Sequence, residues 1–190
     1  MKKALMVVSI LLIAVISTAC INNIAVQELN NKAAEFMAKG DYESAMNRLQ
    51  ASLDLDATMY QTYYNLGVAA INANKYDKAI EALEDGIKIK PDFAEFYYSL
   101  GVAKIGLADD ILENSNIKEE VNLDSETGNV ELKRDITLEE KENAFELKKS
   151  ATENLKKYLE LVPDSKDKAV VEEMIKQCEE FISTDNKKEA

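Results

Sequence analysis

Few residues in this 190-residue chain are of types that do chemistry. There is no His, so the usual general base near neutral pH and the commonest metal ligand are both missing. The two thiols, Cys20 and Cys178, lie far apart in the chain. Cys178, within VVEEMIKQCEEFI, shares a helical stripe with Ile175 and Ile182 and reads as a buried, inert thiol. Asp124, Glu126 and Glu131 around Gly128 suggest a calcium loop, but Gly128 is not the sixth residue from Asp124, and a solvated hairpin tip fits better. No Ser/His/Asp set, metal cluster or phosphate loop is present in the sequence. The expectation is a protein with no catalytic residues, no metal and no cofactor, although carboxylates and Tyr leave composition alone unable to exclude catalysis.

The elements around Cys20 give that thiol a different meaning. Lys2 and Lys3 precede a 13-residue apolar run, Ala4 to Ile16, and then Ser17, Thr18 and Ala19. The run is too short to span a bilayer, which needs roughly 20 residues, and has the length of a signal-peptide core. Small residues before a Cys resemble the bacterial lipoprotein signal, with Ser17 standing where Leu is usual. The resemblance implies cleavage after residue 19 and acyl chains on Cys20, and several chains make a stable anchor where one would be marginal. With Cys20 acylated, Cys178 has no disulfide partner. An ordinary cleaved signal with an incidental Cys is the alternative. Residues 20–25 then form a tether reaching under about 20 Å. The implied location is the bacterial cell envelope: the outer membrane facing the periplasm in a diderm, otherwise the outer face of the cytoplasmic membrane. Ile21, where Asp would retain the protein at the inner membrane in enterobacterial sorting, permits the former.

The chain carries 23 basic and 35 acidic residues, a net −12 that becomes −14 without Lys2 and Lys3. Phosphate backbones and anionic headgroups repel such a chain, so no nucleic-acid partner is expected. The membrane is reached only through Cys20.

Beyond the tether the sequence repeats itself. Tyr63, Tyr64, Leu66, Gly67, Val68 and Ala69 recur 34 residues later as Tyr97, Tyr98, Leu100, Gly101, Val102 and Ala103. Tyr42, Ala45 and Leu49 anticipate Tyr76, Ala79 and Leu83 at the same period. These residues resemble the tetratricopeptide repeat (TPR), whose pattern is an aromatic, Leu-Gly, Ala-x3-large apolar and Pro. The middle copy supplies Tyr63, Leu66-Gly67, Ala79, Leu83 and Pro91. The resemblance implies an all-α array of helical hairpins. Small Gly67 and Ala79 let two helices approach, and Asn74 takes the turn, where a left-handed conformation is tolerable. Copies span 26–59, 60–93 and, in two pieces, 94–106 with 143–165.

The split follows from spacing. Leu66 to Pro91 is 25 residues and Leu100 to Pro163 is 63, an excess of 38. The segment with Ala144, Leu147, Ala151, Leu155, Tyr158 and Leu159 restores the missing second helix. The insertion, 107–142, holds 12 acidic and 4 basic residues. Its Val121 and Leu123 would face Val130 and Leu132 in a small hairpin about a Gly-Asn turn, with a disordered loop as the alternative. Thr137 and Glu140 have capping-box spacing. A last helix, 166–183, with Val170, Val171, Met174, Ile175, Cys178 and Ile182 on one face, closes the open end. Residues 184–190 are a tail.

In proteins of the family the first helix of each hairpin lines a concave groove. The resemblance assigns to it Gln27, Asn30 and Ala34; Gln61, Tyr64 and Val68; and Glu95, Tyr98 and Val102. The set has no Lys or Arg, so it does not clamp a terminal carboxylate as chaperone-tail-binding members do. Two Tyr offer contact area for a peptide; alternatively they pack against each other or the insertion. The expected function is a non-enzymatic, membrane-anchored scaffold binding a protein or peptide partner. The alternative is a small-ligand-binding lipoprotein working with a transporter's solute-binding protein.

Overall fold

The computed structural model describes residues 24–115, 118–119, 132–133 and 136–186. The signal segment, Cys20, the acidic residues 124, 126 and 131, and the proposed hairpin residues Val121, Leu123 and Val130 lie outside the described residues. Among the described residues seven helices follow one another: α1 (24–38), α2 (Tyr42–Leu55), α3 (Tyr60–Asn72), α4 (Tyr76–Ile89), α5 (Ala94–Ser115), α6 (Leu138–Leu161) and α7 (Lys168–Asn186). Two short strands, β1 (Lys118–Glu119) and β2 (Leu132–Lys133), pair antiparallel between α5 and α6.

The turns follow from local chemistry. Gly40 and Asn74, one period apart, both take positive φ, 75° and 55°. Each ends the first helix of a hairpin at a point where few other residues are comfortable. Asp41 then caps α2, its carboxylate accepting from the Ser44 N–H at 3.1 Å. Thr137 caps α6 reciprocally: Glu140 N–H donates to the Thr137 hydroxyl oxygen at 3.2 Å, and Thr137 N–H donates to Glu140 Oε2 at 3.0 Å.

Within a hairpin the helices touch because one of them has no side chain at the crossing. A Cβ placed on Gly67 would lie 2.5 Å from Leu83 Cγ. A Cβ on Gly101 would lie 2.7 Å from Leu155 Cγ. The same close approach therefore recurs across the interruption, and Ala79 and Ala151 beside it are fully buried. α6 is the delayed second helix of the third hairpin, and α5 and α6 both run on past the repeat, through 107–115 and back through 138–142.

α7 packs on α6 and buries Val171, Ile175 and Cys178. Val170 departs from the expected face and is 57% exposed. Positions 171, 175, 178 and 182 follow a 4-3-4 helical stripe, and 170 sits roughly 100° off it.

Candidate functional site

The groove positions fall on α1, α3 and α5 at helical spacing, so each triplet occupies one face. Thr62 of α3 donates to Asn30 of α1 at 3.2 Å, and α3 touches α5, so the three faces stand side by side. Gln27, Ala34, Gln61 and Glu95 are exposed, and Asn30, Tyr64, Val68, Tyr98 and Val102 are half-buried.

Asn30 is engaged in packing. Its amide nitrogen donates to Val26 O at 2.9 Å and to Ser52 Oγ at 2.8 Å, while its oxygen accepts from Thr62. Ser52 and Thr62 are fully buried, so this amide satisfies two hydroxyls that would otherwise be costly to bury. It joins three helices and has one acceptor lone pair to offer a partner.

The next junction is aromatic where the first is polar. Tyr64, one period after Asn30, meets Phe93 edge-on at 5.3 Å and Phe96 at 6.0 Å, and Tyr60 completes the cluster. Phe96 is fully buried over Gly86, where a Cβ would sit 2.2 Å from the ring. Tyr98 repeats the position once more and tilts on Tyr158 of α6 at 5.4 Å. Tyr158 in turn shares a 2.7 Å hydrogen bond with Ser165. The groove tyrosines are thus seated each in its own junction, with part of each ring left at the surface. By contrast Tyr97, beside Tyr98, donates to Pro91 O at 2.8 Å and braces the turn between hairpins.

Glu95 is the one charged group among the nine groove positions. Burial, before all else, pushes the Tyr64 hydroxyl above its ordinary pKa; hydrogen bonding to Ser99 opposes this, and the Glu95 carboxylate and the Tyr98 and Tyr158 hydroxyls add to it. None of the nine groove positions holds a cation. Among the described residues no group of three or more His, Cys, Asp or Glu could hold a metal ion.

The partners Phe93, Phe96 and Tyr158 were not apparent from the sequence. Gly86 carried a signal: an isolated Gly inside a strong helix needs a packing reason, and Phe96 is that reason.

Residues 36–104 match the tetratricopeptide repeat family model. The fold is a tetratricopeptide-repeat array. Solved structures agree along most of the chain. The first TPR of Spaghetti (RPAP3), bound to the HSP90 peptide SRMEEVD, has a TM-score of 0.59 at 13% identity, covering 83% of this chain and 93% of that one. The second TPR domain of human RPAP3, in complex with the HSP70 peptide SGPTIEEVD, gives 0.57 at 13% identity, over 83% and 98%. The Sgt2 TPR domain from Aspergillus fumigatus gives 0.58 at 16%, over 85% and 82%. At such identities the likeness is one of fold. No curated protein matches the sequence. Among the described residues no helix is long and apolar enough to cross a membrane.

Proposed function

We propose that this TPR array is a non-enzymatic scaffold, held at the bacterial envelope by an acylated Cys20, that binds a segment of a protein partner along the face formed by α1, α3 and α5. The observation that carries the reading is the pair of half-buried tyrosines, Tyr64 and Tyr98, each fixed by its own junction and flanked by Val68 and Val102. A rigid, preformed aromatic surface binds at low entropic cost. Two of the structural neighbours hold chaperone peptides ending in EEVD. Here the absence of Lys and Arg from the groove positions, and Glu95 among them, argue against an acidic tail as the partner segment.

The test uses the full chain in membranes. A photo-crosslinker at Gln61 should capture an envelope partner, and Val68→Glu with Val102→Glu should abolish that capture while helicity and melting temperature stay unchanged. Undiminished capture by the double variant would refute the groove reading. Metabolic labelling with a palmitate analogue should mark the parent and not Cys20→Ser, and an unlabelled parent would refute the anchor.

A further inference from the structure

A trough of about 470 Å³ opens on the other side of the array, between α2 and α4. That volume is within the usual range of ligand sites. Its floor is apolar: Met46 and Leu53 from α2 and Tyr63 and Leu66 from α3. Its rim is acidic, with Glu43, Asp54, Glu81 and Asp85 beside Lys78 of the lining, and with Lys75 and Lys88 pairing Glu43 and Asp85 from outside it. Glu43 and Asp54 are eleven residues apart on α2, which is about 16 Å of helix. An extended chain of roughly five residues covers that length.

The rim carboxylates are available to a cation from outside. Glu43 pairs with Lys75 at one end, Asp85 with Lys88 at 2.7 Å, and Asp54 accepts from the Gln50 amide at 3.3 Å. These are surface pairs, worth little individually and exchanged for a competing cation at small cost. Burial, before all else, holds the Tyr63 hydroxyl above its ordinary pKa; the Asp85 carboxylate adds to this and the Lys88 ammonium opposes it. An aromatic side chain lining the trough with a carboxylate near it favours a positively charged group.

We propose that this trough docks a cationic, amphipathic segment of a protein partner, with its aliphatic stems on the Met46–Leu53–Leu66 floor and its ammonium or guanidinium groups at the carboxylate rim. Lys and Arg side chains have this split character, an apolar stem and a charged head. An anionic segment would meet the Asp54 and Glu81 carboxylates and would have to compete with Glu43 and Asp85 for Lys75 and Lys88. A small inorganic cation would leave the apolar floor uncovered. The site stands apart from the concave groove, since its walls are the second helices of the first two hairpins.

The test is fluorescence anisotropy of a short, capped, labelled peptide of alternating lysine and leucine against the full chain in zwitterionic nanodiscs, with empty nanodiscs as blank. A twin peptide with glutamate for lysine is the comparison. At physiological salt the lysine peptide should bind at least about tenfold tighter than its twin. The double variant Asp54→Asn/Glu81→Gln should weaken it by about fivefold or more. Asn47→Trp, which narrows the trough without altering charge, should weaken it comparably. The α7 control Glu172→Gln/Glu180→Gln should change it by less than about twofold. Hydrogen-exchange protection should fall on 43–54 and 78–85. Equal weakening by the α7 control would show a general attraction to an acidic protein and overturn the proposal. Protection on 61–72 and 95–105 would place the peptide in the groove and overturn it also, as would the absence of binding.

Discussion

The Lys148 ammonium lies 2.6 Å from the Asp109 carboxylate and 5.1 Å from the Phe181 ring centroid. One cation thus ties α6 to the prolonged end of α5 and to α7. The Lys148 side chain is 11% exposed and Asp109 51%. The pair is therefore lopsided, with a buried charge answered by one that water still reaches.

That asymmetry makes the two obvious substitutions unequal. Asp109→Asn leaves the buried ammonium without its counter-charge and should cost about 1–2 kcal/mol, less than for a fully buried pair because Asp109 is half in water. Lys148→Met keeps the stem and removes the charge, so stability should stay within about 1 kcal/mol of the parent. Urea denaturation of both variants decides; equal losses would mean the ion pair is not what holds these helices.

The glycines at the helix crossings should behave differently from the glycine in the turn. At Gly67 and Gly101 an added methyl meets Leu83 and Leu155 well inside contact distance. Gly→Ala there should lower stability by about 1–3 kcal/mol, outweighing the roughly 1 kcal/mol that Ala gains in helix propensity. At Gly40 nothing lies within 4 Å, and only the positive φ opposes Ala, at about 1–2 kcal/mol. Pseudo-wild-type stability in Gly67→Ala would refute the close-packing account. A chemical-shift map separates the sites further, because Gly101→Ala should disturb α6 while Gly40→Ala stays local.

Asn30 and Gln61 are both groove positions but answer to different demands. Asn30→Ala should destabilise the fold by about 1–3 kcal/mol, since it leaves the buried Ser52 and Thr62 hydroxyls short of a partner. Gln61→Ala, at an exposed position, should stay within about 0.5 kcal/mol. Thermal melts of the two variants check this directly.

The shifted groups define a stability plateau in pH. Asp41 and Asp56 have carboxyls held below their ordinary pKa, by the Ser44 hydroxyl and N–H and by the Thr58 hydroxyl and N–H. A lowered folded-state value contributes stability that is present above about pH 4 and lost as pH falls further. Burial raises the Cys178 thiol and the Tyr64 hydroxyl. A raised value contributes stability that is present below the unfolded pKa, about 8.5 for a thiol and 10 for a phenol, and lost as pH rises through the folded value. The urea midpoint should therefore be flat from about pH 5 to 8 and fall on both sides. Cys178 should react with a thiol reagent at pH 8 only as fast as the native state opens.

The sequence exposed what depends on repetition and hid what depends on individual seating. The 34-residue period, the counted excess before Pro163, Asn74 in its turn and the capping box at Thr137 are local or periodic signals, and each has its counterpart in the structure. The groove residues were placed on one face by spacing alone, because α1, α3 and α5 are in phase. What spacing could not show is which of them the packing claims. Asn30 looks like a surface amide in the sequence, yet two buried hydroxyls from helices 22 and 32 residues away converge on it. Tyr64 and Tyr98 are identical by period, yet one leans on Phe93 and Phe96 and the other on Tyr158. Val170 was misread because a run of two valines hides which of them lies on the stripe.

The recurrence of one helix crossing on both sides of the interruption has a kinetic meaning. Gly67 and Leu83 are 16 residues apart, and Gly101 and Leu155 are 54. Bringing the second pair together costs about 1 kcal/mol more chain entropy than the first. The first two hairpins close locally, whereas the third gathers a distant partner. Loop closure alone therefore favours the α3–α4 crossing over the α5–α6 crossing. The extra chain lies inside the last hairpin, so its entropic cost falls on that one crossing and the first two hairpins close without it.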